Sequence, residues 1–433
     1  MTSDSHAFDL VGVGFGPSGI ALASAIEDRA ESRGGDAGLG RVCFLEKSSD
    51  SAWHRDMLLA ETDIQHHFFR DLATPRDPRS RFTFANYLKE KGRIYEFGEL
   101  ALGAAGGAVS RLEWSDYLMW AAGQLHDYVR YDHELLEIRP SGAGPVDQLD
   151  LVTAAGVLTT KALVLCHGRA PQVPVEFQGL LGSTVFHSSR FRGSISGLDR
   201  DRPWRFAVVG SGESAIEILT VLHSSFPRAQ LVSIHRSLGF KHVDLCQFSN
   251  EIFHPRHVDF FHSLEPHRRR AILHEARPTN FGVVDAQASD ILYRKLYEDM
   301  VTSVRRFELV TGTCITAVDD TGGAYRLDLE NIHSGARSQL DADFVILGTG
   351  YREEVLPAAL APLAGVIETD DEGDPIVSRD YRVSTVADFR VPVYLSGMSE
   401  RTHGASDSAS FSLMALRAER VLDSLLERTP AAT

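Results

Sequence analysis

Residues 7–20 read AFDLVGVGFGPSGI, and this stretch decides the fold. Phe8 to Val13 form a short apolar run ending in glycines, the pattern of a buried strand entering a tight turn. Gly12, Gly14 and Gly16 follow, and a helical pattern begins by Ile20 and continues to Ile26. Strand, glycine turn and helix start, in that order, are the context of a dinucleotide-binding fingerprint. The glycines let the backbone approach a pyrophosphate, and the helix N-terminus, with Pro17 and Ser18 in its first turn, offers free N–H groups. A bare GxG is equally compatible with an ordinary glycine turn, and Pro17 stands where the fingerprint wants Gly or Ala. The next apolar run, Arg41 to Leu45, ends at Glu46, an acid placed to bond a ribose hydroxyl.

The chain has 433 residues, more than one typical core, so two or three domains are expected. A formal charge of −15 argues against nucleic-acid binding. No apolar run is long enough to span a membrane, and the first residues lack a secretory signal pattern. Cys43, Cys166, Cys246 and Cys314 are scattered without a CxxC pair, as reduced thiols of a cytoplasmic protein would be. A homo-oligomer, dimer or tetramer, is left open.

Residues 47–120 carry little regular periodicity at first, then helix starts near Phe82 and Trp114. They read either as an insertion packing aromatic rings over the first domain or as a wall of the site. Neighbouring His66 and His67 diverge, which disfavours a shared metal, and none is expected. Apolar runs ending in glycine at 162–168 and 344–350 read as core strands and as the two crossings to an inserted second domain.

That domain opens at Arg205, where a strand, the turn Gly210-Ser211-Gly212-Glu213-Ser214-Ala215 and a helix repeat the fingerprint, with Ser214 in the helix's first turn. The following strand ends in His235-Arg236 instead of an acid. Arg236, with Lys241, suits a 2′-phosphate and points to NADPH over NADH, unless both are merely surface cations. Two dinucleotide folds in one chain suggest a flavin (FAD) in the first and a nicotinamide in the second. Without a redox-active cysteine pair, O2 is the expected electron acceptor.

The chain resembles the microbial N-hydroxylating flavoprotein monooxygenases, the L-ornithine N5- and L-lysine N6-monooxygenases of hydroxamate-siderophore pathways. The resemblance rests on GVGFGPSG at 12–19, Trp53-His54, Gln65 to Leu72, Arg76-Asp77-Pro78, FTFANYL at 82–88 and Glu113 to Trp120. It continues through Val185 to Arg190, the second fingerprint, Phe248 to Phe253, Thr279 to Asp285, Gly348 to Tyr351 and His403 to Asp407.

The resemblance implies an α/β fold of two Rossmann-like domains, for FAD and NADPH, with a small helical substrate region at their junction. The boundaries drawn from it are 1–195 and 340–433 for FAD, with 47–120 partly covering flavin and substrate. Residues 200–335 are assigned to NADPH, with 245–290 touching substrate. It implies hydroxylation of a small amino acid's primary amine through a C4a-hydroperoxyflavin, most like L-ornithine N5-hydroxylation in siderophore or specialised metabolism. Gln65 falls near flavin and substrate, Asn280 bridges cofactor and substrate, and both count as catalytic. Asn250, Ser406 and Asp407 would contact substrate, while Trp53, His54 and Tyr351 join the cofactor contacts. Arg70 stands where the family has a lysine for the substrate carboxylate. Either the α-amino acid is held differently, or the substrate is another amine: lysine, a diamine, a dicarboxylic amino acid or an aminophosphonate. The loop at Ala405 and Ala409-Ser410-Phe411 also departs from the family's leucines, with a one-residue shift before Arg417.

Overall fold

The structure, a computed structural model, describes residues 7–102, 108–142, 144–244, 246–354, 358–407 and 410–428, without the side chains of 278, 280 and 359. Its first sheet is parallel, with Leu10–Val13 at the centre between Val42–Leu45 and Leu163–Leu165. Val393–Leu395 and Val129–Arg130 complete the edges. The central strands Leu10–Val13 and Leu163–Leu165 are apolar and fully buried, as strands of a parallel sheet covered on both faces are.

The first helix, Pro17–Ser32, begins with Gly16 as N-cap and Pro17 at the first helical position, where a missing N–H costs nothing. Its buried residues, Gly19 to Ile26, lie against the last helix, Met414–Arg428. Met414, Ala418, Val421, Leu422 and Leu425 recur at the three-and-four spacing of one buried face. Beside them, helix Arg111–Gln124 buries Trp114 and Tyr117 against Phe84 and Tyr87. Each such aromatic pair adds about 0.5–1.5 kcal/mol beyond the area it buries.

The second sheet is also parallel and is centred on Arg205–Val209, between Gln230–Ile234 and Phe344–Leu347. Val185–His187 forms its far edge beside Phe344–Leu347. The boundaries drawn at 195 and 340 therefore need correction, since both of these strands ladder with the second sheet. The two crossings lie just outside it. Ala170–Pro171 and Tyr351–Arg352 pair antiparallel as a two-stranded ribbon, and His187 Nε2 donates to Gly350 O at 2.9 Å. Each parallel sheet also has an antiparallel three-stranded companion, at Leu135–Thr160 and Thr313–Ala342, that the sequence reading did not anticipate.

Residues 249–280 form a short 3-10 turn, Ser249–Phe253, and the helices Pro255–His262 and Pro266–Asn280. Both helices pack on Glu400–His403, from the C-terminal part of the first unit. Among the described residues no helix is long and apolar enough to cross a membrane.

Candidate functional site

At the first glycine turn the strand end and the helix start leave a cradle. Gly14 has φ +95°, and a Cβ on it would lie 2.8 Å from the Cys166 carbonyl oxygen. Gly19 takes the close-packing role that Pro17 cannot, because a Cβ there would sit 2.3 Å from Gly14 O. A Cβ on Gly16, by contrast, would meet no protein atom within 4 Å, so space is open before the helix N-terminus. That space and those free N–H groups fit a dinucleotide pyrophosphate. Glu46 ends its strand as expected, but its carboxylate also works locally, accepting from Phe15 N at 2.8 Å and Ser48 N at 2.9 Å. It thereby fixes the turn that contains Gly14 and Gly16; Gly12 lies under the Phe44 ring.

The second turn repeats this plan. Gly210 has φ +134°, and a Cβ on it would come within 2.2 Å of Gly348 O. Gly212 caps helix Glu213–Ser225, with Ser214 half-buried in its first turn. Arg236 and Lys241 are exposed beyond the end of Gln230–Ile234, where a 2′-phosphate could reach them from solvent. Both turns fit the nucleotide groups that the sequence assigns to them.

Between the cradles, Trp53, His54 and Tyr351 come together. The His54 ring is 4.5 Å from Trp53 and 6.2 Å from Tyr351, which meets His187 at 5.0 Å. Burial, helped by the positive charge of Arg111, pushes His54 down to about 4 and keeps it neutral. Arg111 reaches across the junction from the flavin side to Glu217 at 2.7 Å. Burial nevertheless lifts Glu217 to about 7, because the Arg111 attraction is opposed by neighbouring Glu213.

The candidate substrate wall begins at Gln65, which is exposed. Arg70 is half-buried, and its position follows from the next residue. Asp71 turns its carboxylate inward to accept from Ala73 N, Thr74 N, Thr74 Oγ1 and Phe84 N at 2.6–2.9 Å, pinning the loop. Arg70 Nη1 donates to Ser412 Oγ at 2.8 Å, and its guanidinium lies 5.7 Å from the Phe253 ring, on the turn that carries Asn250. No ion pair among the described residues involves Arg70. Burial and the Arg70 charge push His66 down to about 4 and lower His67.

Phe411 is wedged among Trp53, His66 and Trp114, at ring distances of 5.5, 4.8 and 5.3 Å. Ser406 is fully buried, and its hydroxyl has no protein partner. Asp407 is fully buried and pairs through Oδ1 with Arg417 at 2.6 Å, which braces the loop beside Ser406. Arg417 Nη2 also donates to Ser18 Oγ at 3.2 Å. Asn250 is half-buried on its turn; Asn280 ends helix Pro266–Asn280, and its side chain lies outside the described residues, as does Ala409.

The sequence reading missed Ser412, Phe253, Arg111 and Glu217. It also treated Arg417 only as a landmark, although an arginine on the apolar face of the last helix was a visible signal. The others lacked one, since a serine or phenylalanine in a loop carries no label of its partner.

A family model described as L-lysine 6-monooxygenase/L-ornithine 5-monooxygenase matches residues 6–353. The L-ornithine N(5)-monooxygenase of Pseudomonas aeruginosa is 34% identical over 441 positions, spanning 100% of this chain and 96% of that protein. The crystal structure of L-lysine 6-monooxygenase from Pseudomonas syringae shares 42% identity and a TM-score of 0.88, covering 98% of this chain and 100% of its own. An ornithine N-hydroxylase from Kutzneria sp. 744, solved with reduced FAD, NADP+ and L-ornithine, shares 33% identity and a TM-score of 0.90 over 98% and 100% of the two chains.

Proposed function

This chain belongs to the L-lysine 6-monooxygenase/L-ornithine 5-monooxygenase family, and from that premise we propose that it N-hydroxylates the side-chain amine of L-ornithine. It is a flavin-dependent N-hydroxylating monooxygenase that uses FAD, NADPH and O2. Arg70, a half-buried cation with no carboxylate partner among the described residues, carries the reading of an α-amino acid substrate, and the ornithine hydroxylases among its relatives favour ornithine. A guanidinium without an acid partner at a wall of the site is a ready partner for a substrate carboxylate.

FAD, once reduced by NADPH, supplies the activation of O2. The rest of the task falls to the protein, which binds, orients and keeps water out. Arg70 holds the α-carboxylate, assisted by Asn250 on the adjoining turn. Ser406 Oγ, buried and otherwise unpartnered, would accept an N–H of the side-chain amine and so orient it. The family resemblance assigns Gln65 and Asn280 to the cofactor side of the pocket. Trp53, Trp114 and Phe411 form an apolar closure that limits water at the reacting end.

The test is hydroxylamine formation alongside NADPH oxidation, with FAD-loaded protein and ornithine, lysine, putrescine, aspartate or an aminoalkylphosphonate. Coupled product with ornithine is expected. Arg70→Ala should raise KM for ornithine by roughly tenfold or more, with kcat at saturation falling much less. Product only with another amine would keep the chemistry and overturn the substrate. Arg70→Ala with wild-type KM would sink the anchoring role.

A further inference from the structure

We infer that Ser412 is a positioning residue for substrate recognition: its hydroxyl aims the Arg70 guanidinium and ties anion binding to the closing segment 410–413. This rests on the reading of Arg70 given above. An arginine side chain has many rotamers, so a site that depends on its planar fork needs something to hold it. Here the hold is a hydrogen bond of 2.8 Å from Nη1 to Ser412 Oγ, on a serine that is 6% exposed.

The polarity of the contact is forced. A guanidinium can only donate, so Ser412 Oγ accepts and keeps its own proton to give. Ser410 Oγ lies 2.7 Å away and also accepts from Ser412 N at 3.1 Å. The Ser412 and Ser410 hydroxyls share one hydrogen bond, in which either oxygen can be the donor, so Arg70, Ser412 and Ser410 form a connected chain. The Phe253 ring packs on the guanidinium from the turn bearing Asn250. With Nη1 committed, Nε and Nη2 remain to meet a carboxylate as a two-toothed fork.

The same short segment seats Phe411 among Trp53, His66 and Trp114. One stretch of backbone thus links the aromatic closure to the orientation of the anion anchor. Segment 410–412 overlaps the Ala409-Ser410-Phe411 stretch, where this chain departs from the family's leucines. Its function is to convert an arginine, in place of lysine, into a fixed carboxylate receptor.

The experiment compares FAD-loaded wild type, Ser412→Ala, Ser412→Thr, Ser410→Ala and Arg70→Ala. KM and kcat are measured for ornithine, and the inhibition constant for L-norvaline, which has the carboxylate but no side-chain amine. Ser412→Ala should raise KM and the norvaline constant together by roughly tenfold, with kcat changing far less. Ser412→Thr should restore both to within about threefold, and adding Ser412→Ala to Arg70→Ala should cost nothing more. If Arg70→Ala raises both constants and Ser412→Ala moves neither, the inference is overturned while Arg70 keeps its role. If neither variant moves them, both the role of Arg70 and this inference fall. Should Ser412→Ala not fold, Ser410→Ala carries the test: a severalfold rise supports the relay, and wild-type constants overturn it.

Discussion

Arg417 and Asp407 form an ion pair of 2.6 Å in which neither side chain is appreciably exposed. The arginine comes from the last helix and the aspartate from the loop that carries Ser406. Nη2 of the same guanidinium reaches Ser18 Oγ at 3.2 Å, and Nε faces Ser396 Oγ at 3.4 Å. One cation thus joins the FAD cradle, the last strand's exit and the substrate loop. Burial pushes the Asp407 carboxyl up, and Arg417 is the main force opposing it.

Arg417→Met should therefore destabilise the protein by about 3–5 kcal/mol, because it leaves a buried acid without its partner. FAD content should fall as well, since the cradle loses the contact to Ser18. Adding Asp407→Leu should recover part of the stability but not the loop geometry. Chemical denaturation and bound-flavin absorbance measure the two effects; a single Met variant as stable as wild type would refute the coupling.

Glu217 makes stability depend on pH in an unusual direction. Burial raises its carboxyl from the ordinary 4.5 to about 7, so the folded state favours the protonated form. Its contribution is complete below the unfolded value and is lost as pH rises toward the folded one. Glu217→Gln imitates the protonated acid at every pH. The variant should gain stability relative to wild type between about pH 5 and pH 8, by up to roughly 3 kcal/mol. Paired thermal melts across that range check it, and a difference independent of pH would rule it out.

Much of this was legible because nucleotide binding imposes local grammar. Gly14, Gly210 and the strands before them had to be near each other in sequence to make their turns, so both cradles could be read. The pattern from Leu413 through Leu426 suits a closing amphipathic helix on sequence alone, and the helix found is Met414–Arg428. The assignment of Val185–His187 and Phe344–Leu347 to the second sheet was not legible, because short apolar strands look alike whichever sheet they enter. The pairing of Asp407 was hidden for a related reason. Its type suggests a ligand, but its state depends on Arg417, ten residues later and only adjacent through folding.

Arg236 gives a prediction about cofactor choice. It is exposed at the end of the second strand of its sheet, where an acid would select a free ribose hydroxyl. Arg236→Ala should raise KM for NADPH by roughly tenfold while KM for NADH moves by no more than about twofold. Lys241→Ala should act in the same sense but less. Equal losses for the two nucleotides would mean that neither cation reads the 2′-phosphate.

Gly14 and Gly16 are two residues apart, yet their replacement by alanine should fail in different ways. Gly14 sits at φ +95°, and a Cβ there would press on backbone atoms of Cys166 and His167 within 2.9 Å. Backbone cannot swing aside as a side chain can, so Gly14→Ala should destabilise even the apoprotein, by about 1–3 kcal/mol. Gly16 has φ −78° and ψ −165°, which any residue adopts, and its Cβ would enter space that contains no protein atom. Gly16→Ala should keep apoprotein stability within about 0.5 kcal/mol of wild type. Its methyl group would instead occupy the approach of the pyrophosphate to the helix N-terminus, weakening FAD binding by roughly tenfold or more. Denaturation of the apoprotein and titration with FAD separate the two. Wild-type FAD affinity in Gly16→Ala would place the pyrophosphate elsewhere than before helix Pro17–Ser32.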